Sequence, residues 1–296
     1  MAFQNRKEAK YTLQWTIENF SYAWQTTGQH IVSPVFVSPV FDNMSLILQL
    51  YPRGVIDEQY IDFFLRRMAD DSPMEGIINL KMLALPNNGS YLSVGEQRIY
   101  FRRGQAYGLP HFLKREEVEN SDRFLNFDKL TLRCQLIFGE GLNCKFVGKS
   151  FAKTRLLMEK ISFNRFYSSN IEDDRILLRP MSGTNPMLIL SLHQTHDRHL
   201  IINMLPNYGC NRVKYYTCTL TLNDVTRITP ARLCELRIEH WGQLTRRILD
   251  VCLSPLNESR EDDAEASKDN SFQIDFKLTF TTGELQNESI LTTYQF

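Results

Sequence analysis

Little in this chain points toward chemistry. Its six cysteines, Cys134, Cys144, Cys210, Cys218, Cys234 and Cys252, form no C-x-x-C pair. H-E-x-x-H, G-x-S-x-G, a phosphate loop and the kinase signatures are all missing, so metalloprotease, hydrolase and phosphotransferase readings lose their usual carriers. No uninterrupted apolar run approaches a membrane span, and Met1-Ala2-Phe3-Gln4-Asn5-Arg6-Lys7 has no apolar signal core. Neither charge sign dominates: 34 basic residues face 34 acidic ones, so no global field favours nucleic acid or an anionic membrane. Heptads are absent. Glycine is sparse at 14, and 11 prolines share the turns.

What is present is strand. The 296 residues suffice for two ordinary domains, and a hydrophobic content of 43% supports a sizeable core. Met44-Ser45-Leu46-Ile47-Leu48-Gln49-Leu50 is an apolar run of strand length. In Ile77 to Leu85 the polar Asn79 and Lys81 share one face, and Pro86-Asn87-Asn88-Gly89 reads as the turn that follows. Leu130 to Leu136 alternates as a half-buried strand does. Leu109 to Val118 is the only helix-like piece of the first half. Cys134 and Cys218 lie in apolar or β-branched runs, where a reduced thiol acts as a small hydrophobe. A reducing compartment, cytoplasmic or nuclear, is expected.

The second half repeats the first after Gly139-Glu140-Gly141-Leu142-Asn143. Ile161 to Phe166 sits where Trp15 to Phe20 sits, Met187 to Leu192 parallels Ser45 to Leu50, and Tyr215 to Leu222 parallels Ile77 to Leu85. Trp241-Gly242 falls in the place of Tyr107-Gly108, and Phe272 to Leu278 alternates like Leu130 to Leu136. The expected class is all-β, two tandem antiparallel β-sandwiches with few short helices. The expected division is a tail over 1–10, a first domain over 11–139, a linker over 140–152, a second domain over 153–281 and a tail over 282–296. Asn257 to Asn270 is too hydrophilic to join a core.

Trp15-Thr16-Ile17-Glu18-Asn19-Phe20 opens the first domain and Asp128-Lys129-Leu130-Thr131-Leu132-Arg133-Cys134 closes it. Between them come Leu50-Tyr51-Pro52-Arg53-Gly54, Tyr60, Gln97-Arg98-Ile99-Tyr100 and Tyr107-Gly108. In order and spacing this resembles the MATH domain, the TRAF-like β-sandwich, and in particular the substrate-binding MATH domain of speckle-type POZ proteins. The resemblance implies capture of a short extended peptide, without catalysis and without a cofactor. It places the peptide groove on Tyr60, Leu80, the strand Ile99-Tyr100-Phe101, Gln105, Tyr107, Gly108 and Leu109, with Trp241 and Gly242 as a possible second groove. Where the family reads serine or threonine with Lys-Asp, this chain has Gln105-Ala106. The groove therefore keeps its apolar character and loses that charge. The resemblance also implies a substrate adaptor in ubiquitin signalling, or a competitor for substrates, since neither a POZ-like helical stretch nor RING cysteines are seen. The expected partner is a protein or peptide, with no nucleic acid and no membrane.

Two other readings stand beside this one. An architectural interaction protein would use the same sandwiches with vestigial grooves. A metal-dependent activity would need His193, His196 and His199 to converge across a hairpin. Histidines at such a tip are more commonly just solvated.

Overall fold

A computed structural model describes residues 9–38, 43–72, 75–86, 92–120, 123–138, 146–167, 174–179, 188–195, 199–206, 213–224, 231–241, 247–252 and 272–295. The chain divides into two compact units, Met1–Leu157 with Glu284–Phe296, and Met158–Gly283.

The first unit begins with β1 (Ala9–Glu18), a 3-10 turn (Phe20–Tyr22), β2 (Ile31–Val32), β3 (Phe36–Ser38) and β4 (Met44–Tyr51). It continues through β5 (Tyr60–Arg67), β6 (Gly76–Ala84), β7 (Leu92–Phe101), β8 (Ala106–Lys114) and the single-turn α1 (Arg115–Glu119). Then come β9 (Lys129–Phe138), β10 (Phe146–Leu156) and, after the second unit, β19 (Leu285–Gln295). One sheet runs β19-β10-β1-β9-β6-β7; the other runs β2-β4-β5-β8, with β3 also on β4.

Alternation explains how the two sheets share a core. Tyr11, Leu13, Trp15 and Ile17 of β1 point inward with Leu132, Cys134 and Leu136 of β9. They meet Leu46, Leu48 and Leu50 of β4 and Ile61, Phe63 and Leu65 of β5. Even-numbered positions of β1 and odd-numbered ones of β9 face the other way and, Ile137 apart, are polar. Burial pushes the Cys134 thiol well above its usual range, as expected for a thiol used as a small hydrophobe.

β4 passes into its turn through Gly54. Its φ of 57° is left-handed, and a Cβ there would lie 2.3 Å from the Asp57 carbonyl oxygen, so only glycine fits.

The second unit holds β11 (Glu159–Tyr167), β12 (Asp174–Leu178), β13 (Leu188–Gln194), β14 (His199–Pro206), β15 (Tyr215–Asp224), β16 (Ala231–Trp241), β17 (Arg247–Cys252) and β18 (Phe272–Thr281). Its sheets run β11-β18-β15-β16 and β12-β13-β14-β17. Leu190, Leu200 and Ile202 of one sheet share a core with Cys218, Leu220 and Phe276 of the other. The strand orders of the two units correspond one for one, β1-β9-β6-β7 with β11-β18-β15-β16 and β2-β4-β5-β8 with β12-β13-β14-β17.

Three expectations need correction. The linker over 140–152 and the tail over 282–296 instead supply β10 and β19, from Phe146 and from Leu285 onward. β10 pairs in parallel along the whole of β1, and β19 pairs antiparallel to β10. The physical reason lies in the side chains under β10. Gly148, Ser150, Ala152 and Thr154 are small or hydroxylated because Tyr11 and Trp15 already fill that space. A strand with so little apolar content reads as a loop. Finally, the helix expected over Leu109 to Val118 is strand up to Lys114 and helix only from Arg115.

Candidate functional site

β7 and β8 are each the last strand of a sheet, joined by the tight turn 102–105. Among the described residues no strand covers the outer edge of either, and such an edge is a template for a guest chain. Side chains from both strands point into the seam between the sheets. From β7 these are Gln97 and Ile99; from β8 they are Tyr107 and Leu109, opposite Leu65 and Phe63 of β5. Ile99, Tyr107 and Leu109 are partly buried and pack on the core rim.

Two contacts draw the seam together. The Gln97 Nε2 donates to the Gly108 carbonyl at 3.3 Å. Leu109 lies on Gly95, where an added Cβ would come within 2.6 Å of its Cδ1. Gly108 itself is forced by Phe64: a Cβ would lie 2.3 Å from the Phe63 carbonyl oxygen and 2.7 Å from Phe64 Cα.

The turn beneath the seam is held by several hydrogen bonds and a ring contact. Tyr107 Oη accepts the Arg102 N–H at 2.8 Å. The same oxygen is 2.6 Å from the Tyr100 carbonyl and 2.7 Å from Gln105 Oε1, so its one proton serves those two acceptors. The Tyr107 ring packs on Phe101 at 5.5 Å. The Arg67 N–H donates to the Gln105 carbonyl at 3.0 Å. The Arg67 guanidinium is wholly buried, paired with Asp70 at 3.1 Å and donating to the Ser72 carbonyl at 2.8 Å. Asp70 also accepts the Ser45 N–H at 2.9 Å. Burial alone would raise the Asp70 carboxyl, but the Arg67 and backbone hydrogen bonds outweigh it and hold it below the usual range.

These placements sort the expected groove residues. Tyr107, Gly108 and Leu109 come together at the seam, and Gln105 sits exposed at its rim. Leu80 and Phe101 do not face a guest: each is 1% exposed and belongs to the core. Tyr100, 47% exposed, faces outward from the sheet beneath the Arg102 guanidinium, 4.8 Å above its ring. Of Ile99 and Tyr100, neighbours on β7, Ile99 is the one that faces the seam. Tyr60 lies on the outer face of the second sheet, at the start of β5, with its ring tilted against His111 at 4.3 Å. Tyr60, Tyr100 and Tyr107 thus point three ways and line no common cleft. Gly95 and Gln97 were missed as groove residues; their signal was the two-residue alternation of β7 with a glycine against Leu109.

In the second unit, Trp241 ends β16, which corresponds to β7, whereas Tyr107 belongs to β8. The two therefore do not occupy equivalent places. Gly242 lies outside the described residues. His193 is exposed on β13 with Ile201 as its cross-strand partner, and His199 begins β14 opposite Cys252. His196 lies outside the described residues. Among the described residues no three His, Cys, Asp or Glu side chains are placed to hold a metal.

Residues 12–136 match the MATH domain family. MATH domains are protein-interaction modules and not typically enzymes. The matched MATH stretch contains the whole seam and ends inside β9, so β10 and β19 lie beyond it. Among solved structures, the chain is similar to BuGH86wt, crystallised in complex with neoagarooctaose, at 7% identity and a TM-score of 0.13, covering 79% of this chain and 33% of that one. It is also similar to the N-terminal CBM22-1-CBM22-2 tandem domain from Paenibacillus barcinonensis Xyn10C, at 6% identity and a TM-score of 0.15, covering 89% and 94%. The chain thus spans about a third of the length of the first of these (33%). At such scores neither likeness bears on fold or function.

Proposed function

We propose that the MATH domain captures a short extended peptide from a partner protein at the seam between β7 and β8. The observation that carries this reading is the juxtaposition of two sheet-terminal strands with half-buried Ile99, Tyr107 and Leu109 between them. The guest adds a strand along the free edge, giving backbone hydrogen bonds, and every second side chain enters the apolar seam. Gln97 and Gln105 offer amides at the rim. No lysine–aspartate pair stands before Tyr107, so the preferred peptide is apolar and neutral rather than serine-rich. A groove of this size supports affinity in the micromolar range, about 8 kcal/mol.

By this reading the chain acts as a recognition module of the adaptor type, delivering or sequestering a substrate in the cytoplasm or nucleus. The matching strand orders support reading the second unit as a diverged repeat of the first.

The test is a peptide-array screen with Leu109→Ala and Ile99→Glu, each checked for folding by circular dichroism. The seam reading expects both variants to lose the peptides that the parent chain retains. Retention of the same peptides by both folded variants refutes it.

A further inference from the structure

The face of the six-stranded sheet turned away from the core carries a charge that the chain as a whole does not. At one corner the Glu18 carboxylate is held by Lys129 at 2.8 Å, Arg155 at 2.7 Å and Lys153 at 3.2 Å. Glu288 joins Lys153 at 3.1 Å and Arg155 at 3.6 Å. Three cations there meet two carboxylates. Adding Lys10, Lys81, Arg98, Arg133 and Lys149 gives eight cations on the described side chains of this face, against Glu18, Glu96 and Glu288, an excess of five. The chain overall balances 34 against 34, so the excess is a local field rather than a general property.

The cations are spread over the sheet. Lys149 is exposed on β10, diagonal to Lys10 on β1, since Lys149 pairs with Thr12. Across β9, Arg133 and Lys81 make a similar diagonal, because Lys81 pairs with Gln135. Among the described residues no carboxylate is bonded to Lys10, Lys81 or Lys149. Between them Thr12, Gln14, Thr16 and Gln135 offer hydrogen-bonding side chains.

We propose that this basic face is a second docking surface, and that its partner is an acidic, Asp/Glu-rich segment of another protein. Charge complementarity selects an anionic partner. The ring inventory selects protein over single-stranded nucleic acid. Single-stranded nucleic acid needs neighbouring aromatic platforms for its bases. The described rings on this face are Phe151 on β10 and Tyr100 on β7. Four inter-strand spacings separate these strands, about 19 Å at 4.8 Å each, and Arg102 already covers Tyr100.

The experiment titrates the full chain with a fluorescent oligo-glutamate peptide and, separately, with a single-stranded oligonucleotide of equal charge. The peptide is expected to bind the tighter of the two, and to weaken at least tenfold between about 0.05 and 0.5 M salt as screening shortens the field. Lys10→Glu/Lys149→Glu should weaken it about tenfold or more. The milder Lys10→Gln/Lys149→Gln pair, whose fold is less at risk, should show a smaller loss in the same direction. Leu109→Ala should leave it unchanged, which separates this surface from the seam. Absence of peptide binding at low salt, equal binding by the folded glutamine pair, or tighter binding of the oligonucleotide each overturns the proposal.

Discussion

The buried indole N–H of Trp15 donates to Thr154 Oγ1 at 2.9 Å, across 139 residues of sequence. Thr154 Oγ1 donates in turn to Asn287 Oδ1 at 2.8 Å. Tyr11, Ser150 and Thr292 repeat the arrangement four residues back along β1 and β10, at 2.7 and 3.0 Å. Each large ring of β1 thus finds its polar partner on β10, and β10 finds its own on β19. Thr154→Val keeps the shape and removes the acceptor. Leaving the Trp15 N–H unpaired is expected to cost about 1–3 kcal/mol, read as a lower urea midpoint with unchanged slope. Trp15→Phe combined with Thr154→Val should cost less than the sum of the two singles, because both partners are then gone.

Strands β10 and β19 cover the β1 edge, so their removal should be worse than the loss of a tail. A chain ending at residue 140 would expose that edge and uncover Trp15. It is expected to associate, seen as early elution in size-exclusion chromatography. By contrast, the Leu157 N–H donates to the Glu284 carbonyl at 3.1 Å, so the chain leaves and re-enters the first unit at adjacent points. Replacing residues 158–283 by a turn of about four residues should leave that unit folded and monomeric, with near-parental thermal stability.

Glu18 should make stability depend on pH at the acid end. Burial alone would raise its carboxyl, but hydrogen bonds from Lys129, Arg155 and Lys153 prevail and lower it from 4.5 to about 2. A folded-state value below the unfolded one means stability present above about 4.5 and lost as pH falls toward 2. The parent chain should therefore exceed Glu18→Gln in melting temperature at neutral pH. That gap should narrow steadily through this window. A gap independent of pH would contradict the assignment.

Phe127 and Asp128 form the two central residues of a tight hairpin turn, with φ of 50° and 59°. The Asn126 and Lys129 backbones bond each other at 3.1 and 3.2 Å across it. Asp128 is anchored, accepting both the N–H and the hydroxyl of Ser21 at 2.8 Å. Phe127 is 90% exposed and sits on a left-handed backbone. Asparagine tolerates that conformation far better. Phe127→Asn should stabilise by about 0.5–1 kcal/mol, measured by denaturant unfolding. Asp128→Ala should destabilise.

Two glycines at the seam should separate stability from binding. Gly108→Ala drives a methyl into the Phe63 and Phe64 backbone and should destabilise by about 1–3 kcal/mol. Gly95→Ala meets only the mobile end of Leu109. It should cost less stability while displacing Leu109 and weakening any peptide held there, which an unfolding curve and a binding titration on the same variant will resolve.

Strand content and the strands β4, β6 and β9 were legible in sequence because alternation with a period of two, or a dense apolar run, survives in one dimension; β8 was not, and read as helix. The MATH resemblance was carried by residues 15–134 and coincides with the matched stretch 12–136. Tertiary structure alone decided which rings are open. Leu80 and Phe101 alternate like any half-buried residue, and only the facing sheet closes over them. Tyr60, Tyr100 and Tyr107 look alike in sequence, yet strand register turns them three ways. Nor does β10 announce itself, since Gly148, Ser150, Ala152 and Thr154 lack apolar signal. They form a strand because Tyr11 and Trp15, fixed elsewhere, need small neighbours and polar partners. Local pattern determines which residues prefer a strand; which edge a strand joins depends on the volume and hydrogen bonds of residues more than a hundred positions away.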